Sequence, residues 1–280
     1  MGGRGAAIAT VVAQIAGTFA LLQPARQKLF SPSSNDAAEV VPTQDRVSSK
    51  SFLAFAAPVL TLILGKISAF GIMTWVAAAL PGGVVSLAAH QITLSLFFFM
   101  QPFLEVLSQT AQAFLPQYLT LYENDGVTIT PAGKHEADKL ALRLLRYGVG
   151  TACIVASIAS IIPRFFPFFL TNDITVQNAV RPLAVPLLIS ALLTAPVSVS
   201  EGVLLARREL KYLASVYLVS TAIFPFALST IKKSAGKVVH VWTGFAFFQL
   251  FRAFCFTGRI WGPNILQAIG NIRLNKDSTK

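Results

Sequence analysis

The chain has 280 residues, of which 54% are hydrophobic and only 12% charged, with a mean hydropathy of +0.63. Soluble domains carry about twice that share of charge, so a water-soluble globular fold is excluded. The formal net charge of +11 would suit a nucleic-acid partner, but the Lys and Arg residues fall in short clusters between apolar runs. They do not line an aromatic-interleaved basic face, so no nucleic acid is expected.

A helix needs about 20 mostly apolar residues to cross a bilayer. Seven segments meet that length, at 6–24, 51–80, 84–121, 140–162, 182–206, 211–231 and 238–261. The predicted fold is all-α and integral to the lipid bilayer, a polytopic helix bundle. The first segment, GAAIATVVAQIAGTFALL, has only Arg4 ahead of it and no A-x-A site followed by a mature soluble domain, so it reads as a spanning helix and not as a signal peptide. Composition then shifts abruptly to Ser, Pro and charge, which places a linker at 25–50 between a unit at 1–24 and a six-helix unit at 51–262. Lys66 in TLILGKISAF lies near the middle of the second segment, too deep for its stem to snorkel with ease, and needs a partner: Glu105, Glu201 or an anionic ligand.

The third segment opens after PGG and carries His90, expected to serve helix packing over proton relay. It continues as QPFLEVLSQTAQAFLPQ, in which Gln101, Glu105, Ser108, Gln109 and Gln112 share one helical face. A carboxylate at membrane depth costs about 2.5–3.5 kcal/mol on insertion scales and is kept facing a bundle interior or a watery cavity. The stripe therefore lines a cavity, or else Glu105 is interfacial and the glutamines join neighbouring helices. A polar insert at 122–139 opens with an N-D-G turn, closes on a short surface helix and includes His135, read as a solvated residue.

In the fifth segment Ser190, Thr194, Ser198 and Glu201 form a second polar stripe with an acid. Glu201 either serves function or pairs with Arg207 or Arg208 at the helix end. In the last segment Gln249 and Arg252 lie three apart, and Arg252 is expected to reach the interface near Arg259 and not to pair inward. Kinks are expected at Pro102 and Pro196. Cys153 and Cys255 lie within apolar segments and read as packing residues, with no disulfide or metal site. Residues 263–280 read as a polar tail. With the 23–50 loop placed inside, alternate loops on that side carry fifteen Lys and Arg against six opposite, the asymmetry that seven spans produce.

Three stretches in order, AAHQITLS after PGG, EVLSQTAQAFLPQYL, and SVSEGVLLARRELKYLASVYLVSTA, resemble the C-terminal half of a MATE (multidrug and toxic compound extrusion) transporter. They are most similar to the plant chloroplast-envelope type associated with salicylate precursors. The resemblance covers about 51–262, and GRGAAIATVVAQ resembles the family's sixth helix. It implies two six-helix lobes that alternate between open states and move an organic solute outward in exchange for protons or sodium ions. Glu201 matches the family's tenth-helix acid and Glu105 an eighth-helix acid of plant-type members. Ser68 stands near the seventh-helix acid of cation exporters, and Lys66 occupies a nearby turn.

A cation in place of an acid reverses the local field and favours an organic anion. The expected pathway residues are Lys66, Gln101, Glu105, Gln109, Gln112, Ser198 and Glu201. The expected partners are the bilayer, a small organic solute, and a missing N-terminal lobe or a second half-length chain, since five further helices are implied upstream. The chain thus reads as a C-terminal fragment of an antiporter. A plastid-envelope location rests on the resemblance. A non-transporting scaffold or degenerate half-transporter is the alternative, while the absence of HExxH, GxSxG and Asp-rich motifs argues against an enzyme or a metal cofactor.

Overall fold

The computed structural model describes residues 2–30, 49–120, 131–234 and 236–277, and these are helical with short connections and no strands. Most of the expected linker, and the N-D-G turn, lie outside the described residues. The chain divides into two units, Met1–Ser48 and Ser49–Lys280. The first contains α1, Gly2–Phe30. Its apolar stretch among the described residues is Val11–Pro24, shorter than a bilayer crossing requires.

The second unit contains α2 (Ser49–Ala78), α3 (Gly83–Thr120), α4 (Pro131–Phe165), α5 (Ile174–Val180), α6 (Ala184–Ala206), α7 (Leu210–Lys233) and α8 (Val238–Asp277). Six segments among the described residues are long and apolar enough to span, not the seven expected: Ala56–Ala78, Gly83–Tyr118, Gly133–Phe165, Ile174–Ala206, Leu210–Lys233 and Val238–Gly262. The protein is a multi-pass membrane helix bundle. Two helices outrun the apolar pattern. The closing part of the 122–139 insert joins α4 from Pro131, with no separate surface helix there, and α8 continues through the expected tail to Asp277.

The α6 helix is the hub. It packs against α3, α4 and α8, while α2 pairs with α7. Its span is 67% buried against 28–50% for the others, which is why its apolar residues run all round and its polar residues are enclosed. Pro102 and Pro196 lie within the unbroken helices α3 and α6. Close approach of α3 and α6 depends on Gly202, where an added Cβ would meet the Ser108 carbonyl oxygen at 2.5 Å.

Two apolar clusters fill the interior. One gathers Phe97, Trp242 and Phe245, with Phe97 and Phe245 edge to face at 5.4 Å. The other gathers Leu115, Val203, Leu213, Tyr217 and Phe256. His90 is buried in the first, 5.9 Å from the Trp242 ring and 3.1 Å from the Thr74 hydroxyl, as a packing residue would be. Cys153 and Cys255 are free thiols.

Ion pairs secure the helix ends. Arg207 pairs with Asp138 of α4, and Arg259 Nε donates to Glu209 Oε2 at 2.7 Å, tying α8 to the start of α7. The α6–α7 turn passes through Arg208 in the left-handed region (φ 58°). The first of these contacts uses Arg207, which was a candidate partner for Glu201.

Candidate functional site

Helical spacing puts Thr194, Ser198 and Glu201 on one side of α6, and the burial of that helix encloses all three. Glu201 keeps its carboxylate there because three donors from three other helices converge on it. Lys66 Nζ of α2 donates to Oε1 at 2.7 Å, and the Tyr217 hydroxyl of α7 donates to Oε2 at 2.6 Å. Arg252 of α8 lies 3.5 Å from Oε2. Lys66 is the outermost member, with its side chain 31% exposed, against 6% for Glu201 and 4% for Arg252.

Arg252 organises a second layer. Its guanidinium stacks on the Tyr217 ring at 4.1 Å, and one terminal nitrogen donates to the Tyr217 hydroxyl. The other donates to Gln249 Oε1 at 3.0 Å. Gln249 Nε2 in turn donates to Thr194 Oγ1 at 2.8 Å, which donates to the Ser190 carbonyl at 2.8 Å. The chain of bonds runs from α6 through α8 and α7 back to α6, and out to α2. Gly65 permits the last approach, since a Cβ there would lie 3.0 Å from both Tyr217 Cδ1 and Thr221 Oγ1.

These residues border a hollow of about 30 Å³, room for one or two waters. Lys66, Gln101, Ser198 and Glu201 of the expected set line it, with Thr194, Gln249 and Arg252. Glu105, Gln109 and Gln112 do not. Gln109 and Gln112 are exposed, Glu105 is half-buried, and Gln112 donates to the Ser108 carbonyl and hydroxyl on its own helix. The α3 stripe is therefore split: it reaches the hollow at Gln101 and winds away below it.

Two open alternatives are resolved and one expectation changes. Of the candidate partners of Lys66, the structure gives Glu201 and not Glu105. Glu201 pairs inward and not with Arg207 or Arg208. Arg252 pairs inward instead of reaching the interface, because a guanidinium at this depth finds Tyr217, Gln249 and Glu201 nearer than water. Tyr217 was missed, since one phenol in LASVYLVSTA forms no stripe. The Gln249–Arg252 spacing was the available signal for this arrangement, with Phe248 and Phe256 as neighbours for the guanidinium.

No protein-family model matches the chain, and no solved structure does. It is 28% identical over 260 residues to Protein DETOXIFICATION 47, chloroplastic, from Arabidopsis thaliana. The match takes in 92% of this chain and 45% of the relative, so the chain spans less than half the length of the curated protein it resembles. Along nearly the whole of its length the chain is thus similar to a MATE-family protein, as the resemblance carried by its sequence stretches implies.

Proposed function

We propose that the chain forms one lobe of a secondary transporter that moves an organic anion. The observation that carries this reading is the charge of the hollow: two cations, Lys66 and Arg252, surround one carboxylate, Glu201. A cationic solute brought here would meet net repulsion in a low-dielectric site, and an anion would meet attraction. The hollow is too small for an organic molecule in this closed arrangement. The solute therefore enters an open state in which the helices carrying Lys66 and Arg252 have parted.

Export in exchange for protons or sodium ions, as the resemblance implies, places the coupling step at Glu201. The second lobe comes from further residues of a longer protein or from another half-length chain. A plastid membrane is the proposed location, supported by the chloroplastic designation of the Arabidopsis relative.

Vesicle uptake tests the reading, with the full chain reconstituted alone and together with the part of the Arabidopsis relative outside the match. Labelled benzoate is expected to enter in preference to tetraethylammonium. Lys66→Gln should lower benzoate uptake about tenfold, the effect of roughly 1.4 kcal/mol of lost attraction. Equal uptake of both ions, or benzoate uptake indifferent to Lys66→Gln, contradicts it. A scaffold that transports nothing would leave every vesicle empty.

A further inference from the structure

The hollow carries more donors than Glu201 consumes. Lys66 has three N–H groups and gives one to Glu201. Arg252, which lines the hollow, is 4% exposed, and its Nε, a charged donor, meets no acceptor among the described residues. Gln101 also lines this space, and the Oε1 of its amide is buried and without a partner. Rotated half a turn, that amide presents its nitrogen, an assignment heavy-atom positions leave free. A buried guanidinium with an unused N–H, in a cluster with one positive charge in excess, costs free energy that an acceptor of negative charge removes.

Volume limits what that acceptor is. At about 30 Å³ the space holds one or two waters. A carboxylate-bearing solute, a sulfate or a phosphate does not fit without parting the helices. A sodium ion fits by size, but it would face two fixed cations and a carboxylate whose oxygens are already engaged. A monatomic anion satisfies both limits, because its spherical field accepts from donors in any direction and it needs no room for further atoms. The partly exposed Lys66 gives it a route in from the surface.

We infer that the hollow between Lys66, Arg252 and Gln101 binds a small inorganic anion of chloride's size and charge. Glu201 closes one side of this site, and the anion takes the side that the carboxylate leaves open. The bound ion neutralises the surplus charge and holds α2, α3 and α8 together around α6. The inference stands on charge, unused donors and volume, and does not require the organic-solute reading.

The full chain in lipid nanodiscs provides the test. Its thermal midpoint is followed in sodium chloride, bromide, sulfate and gluconate at matched ionic strength. Chloride and bromide are expected to raise the midpoint along a saturating curve, with gluconate leaving it unmoved and sulfate acting only through the unsaturating rise that its exclusion from protein surface gives. Superimposed curves for chloride and gluconate overturn the site, and this comparison needs no variant.

Line-broadening of the chloride resonance supplies a second readout. Wild-type protein should give saturable excess broadening displaced by bromide, with affinity at least about tenfold weaker in Lys66→Gln, as expected for loss of one charged partner. Broadening unchanged by Lys66→Gln places the ion elsewhere and overturns the assignment. Loss of the halide effect alongside intact benzoate uptake would overturn this site and leave the transport reading standing.

Discussion

Glu201 touches three other helices through three donors of different chemistry, and each donor does something the others do not. Lys66 supplies a point charge near the surface, Tyr217 a neutral hydroxyl, and Arg252 a planar cation that also stacks on the Tyr217 ring. Tyr217→Phe keeps the ring and removes the hydroxyl shared by Glu201 and Arg252. It should cost about 1–2 kcal/mol, the range for interhelical hydrogen bonds within bilayers, measured by unfolding in mixed micelles. Arg252→Lys keeps the charge but loses the planar fork and the stacking, so it should destabilise at least as much; a neutral outcome would show that the stacked geometry contributes nothing. Glu201→Ala leaves two cations facing each other and should be the most damaging of the three, about 3–5 kcal/mol.

At the scale of the element, the site depends on how closely helices approach. Gly202 lets α6 lie against the backbone of α3, and a methyl group there would sit 2.8 Å from the Ser108 Cα, where no flexible side chain can yield. Gly202→Ala is expected to cost about 1–3 kcal/mol by overpacking, read as a lower thermal midpoint. An unchanged midpoint would mean that the α3–α6 contact is looser than described. The approach to α6 is set by α5, whose cap is Asp173. Its carboxylate accepts from the Thr175 hydroxyl at 2.5 Å and from the Thr175 and Val176 amides. The Thr175 hydroxyl first, then those amides, hold the Asp173 carboxyl below its ordinary value of 3.8. A depressed folded-state value stabilises above the ordinary value and loses that contribution as pH falls through the folded one. The gap in thermal midpoint between wild type and Asp173→Ala should therefore be constant near neutrality and close in acid; a gap independent of pH would mean that the capping charge is immaterial.

At the scale of the whole molecule, the six spans of the second unit were legible because a bilayer demands continuous apolar length and the sequence supplies it with few interruptions. Helix ends were less legible: α4 starts at Pro131 and α8 runs to Asp277, since polar residues beyond the hydrocarbon leave no apolar pattern to follow. Half of the site could be read, because Lys66 and Glu201 stood out as charges among apolar neighbours. Their partnership was one of three alternatives for Lys66 and could not be singled out, being formed across 135 residues by the packing of α2 on α7 and of α7 against α6. Arg252 was misplaced because a deep guanidinium and a snorkelling one look alike until the neighbouring helices supply acceptors. The central claim is that charges on separate helices meet in one interior hollow, and a double-mutant cycle on unfolding free energy in bilayers measures this most directly. Lys66→Gln and Glu201→Gln should be coupled by about 0.5–3 kcal/mol, whereas Lys66→Gln and Glu105→Gln should add to within about 0.5 kcal/mol. Additivity for the first pair, or coupling that moves to Glu105, would contradict the account.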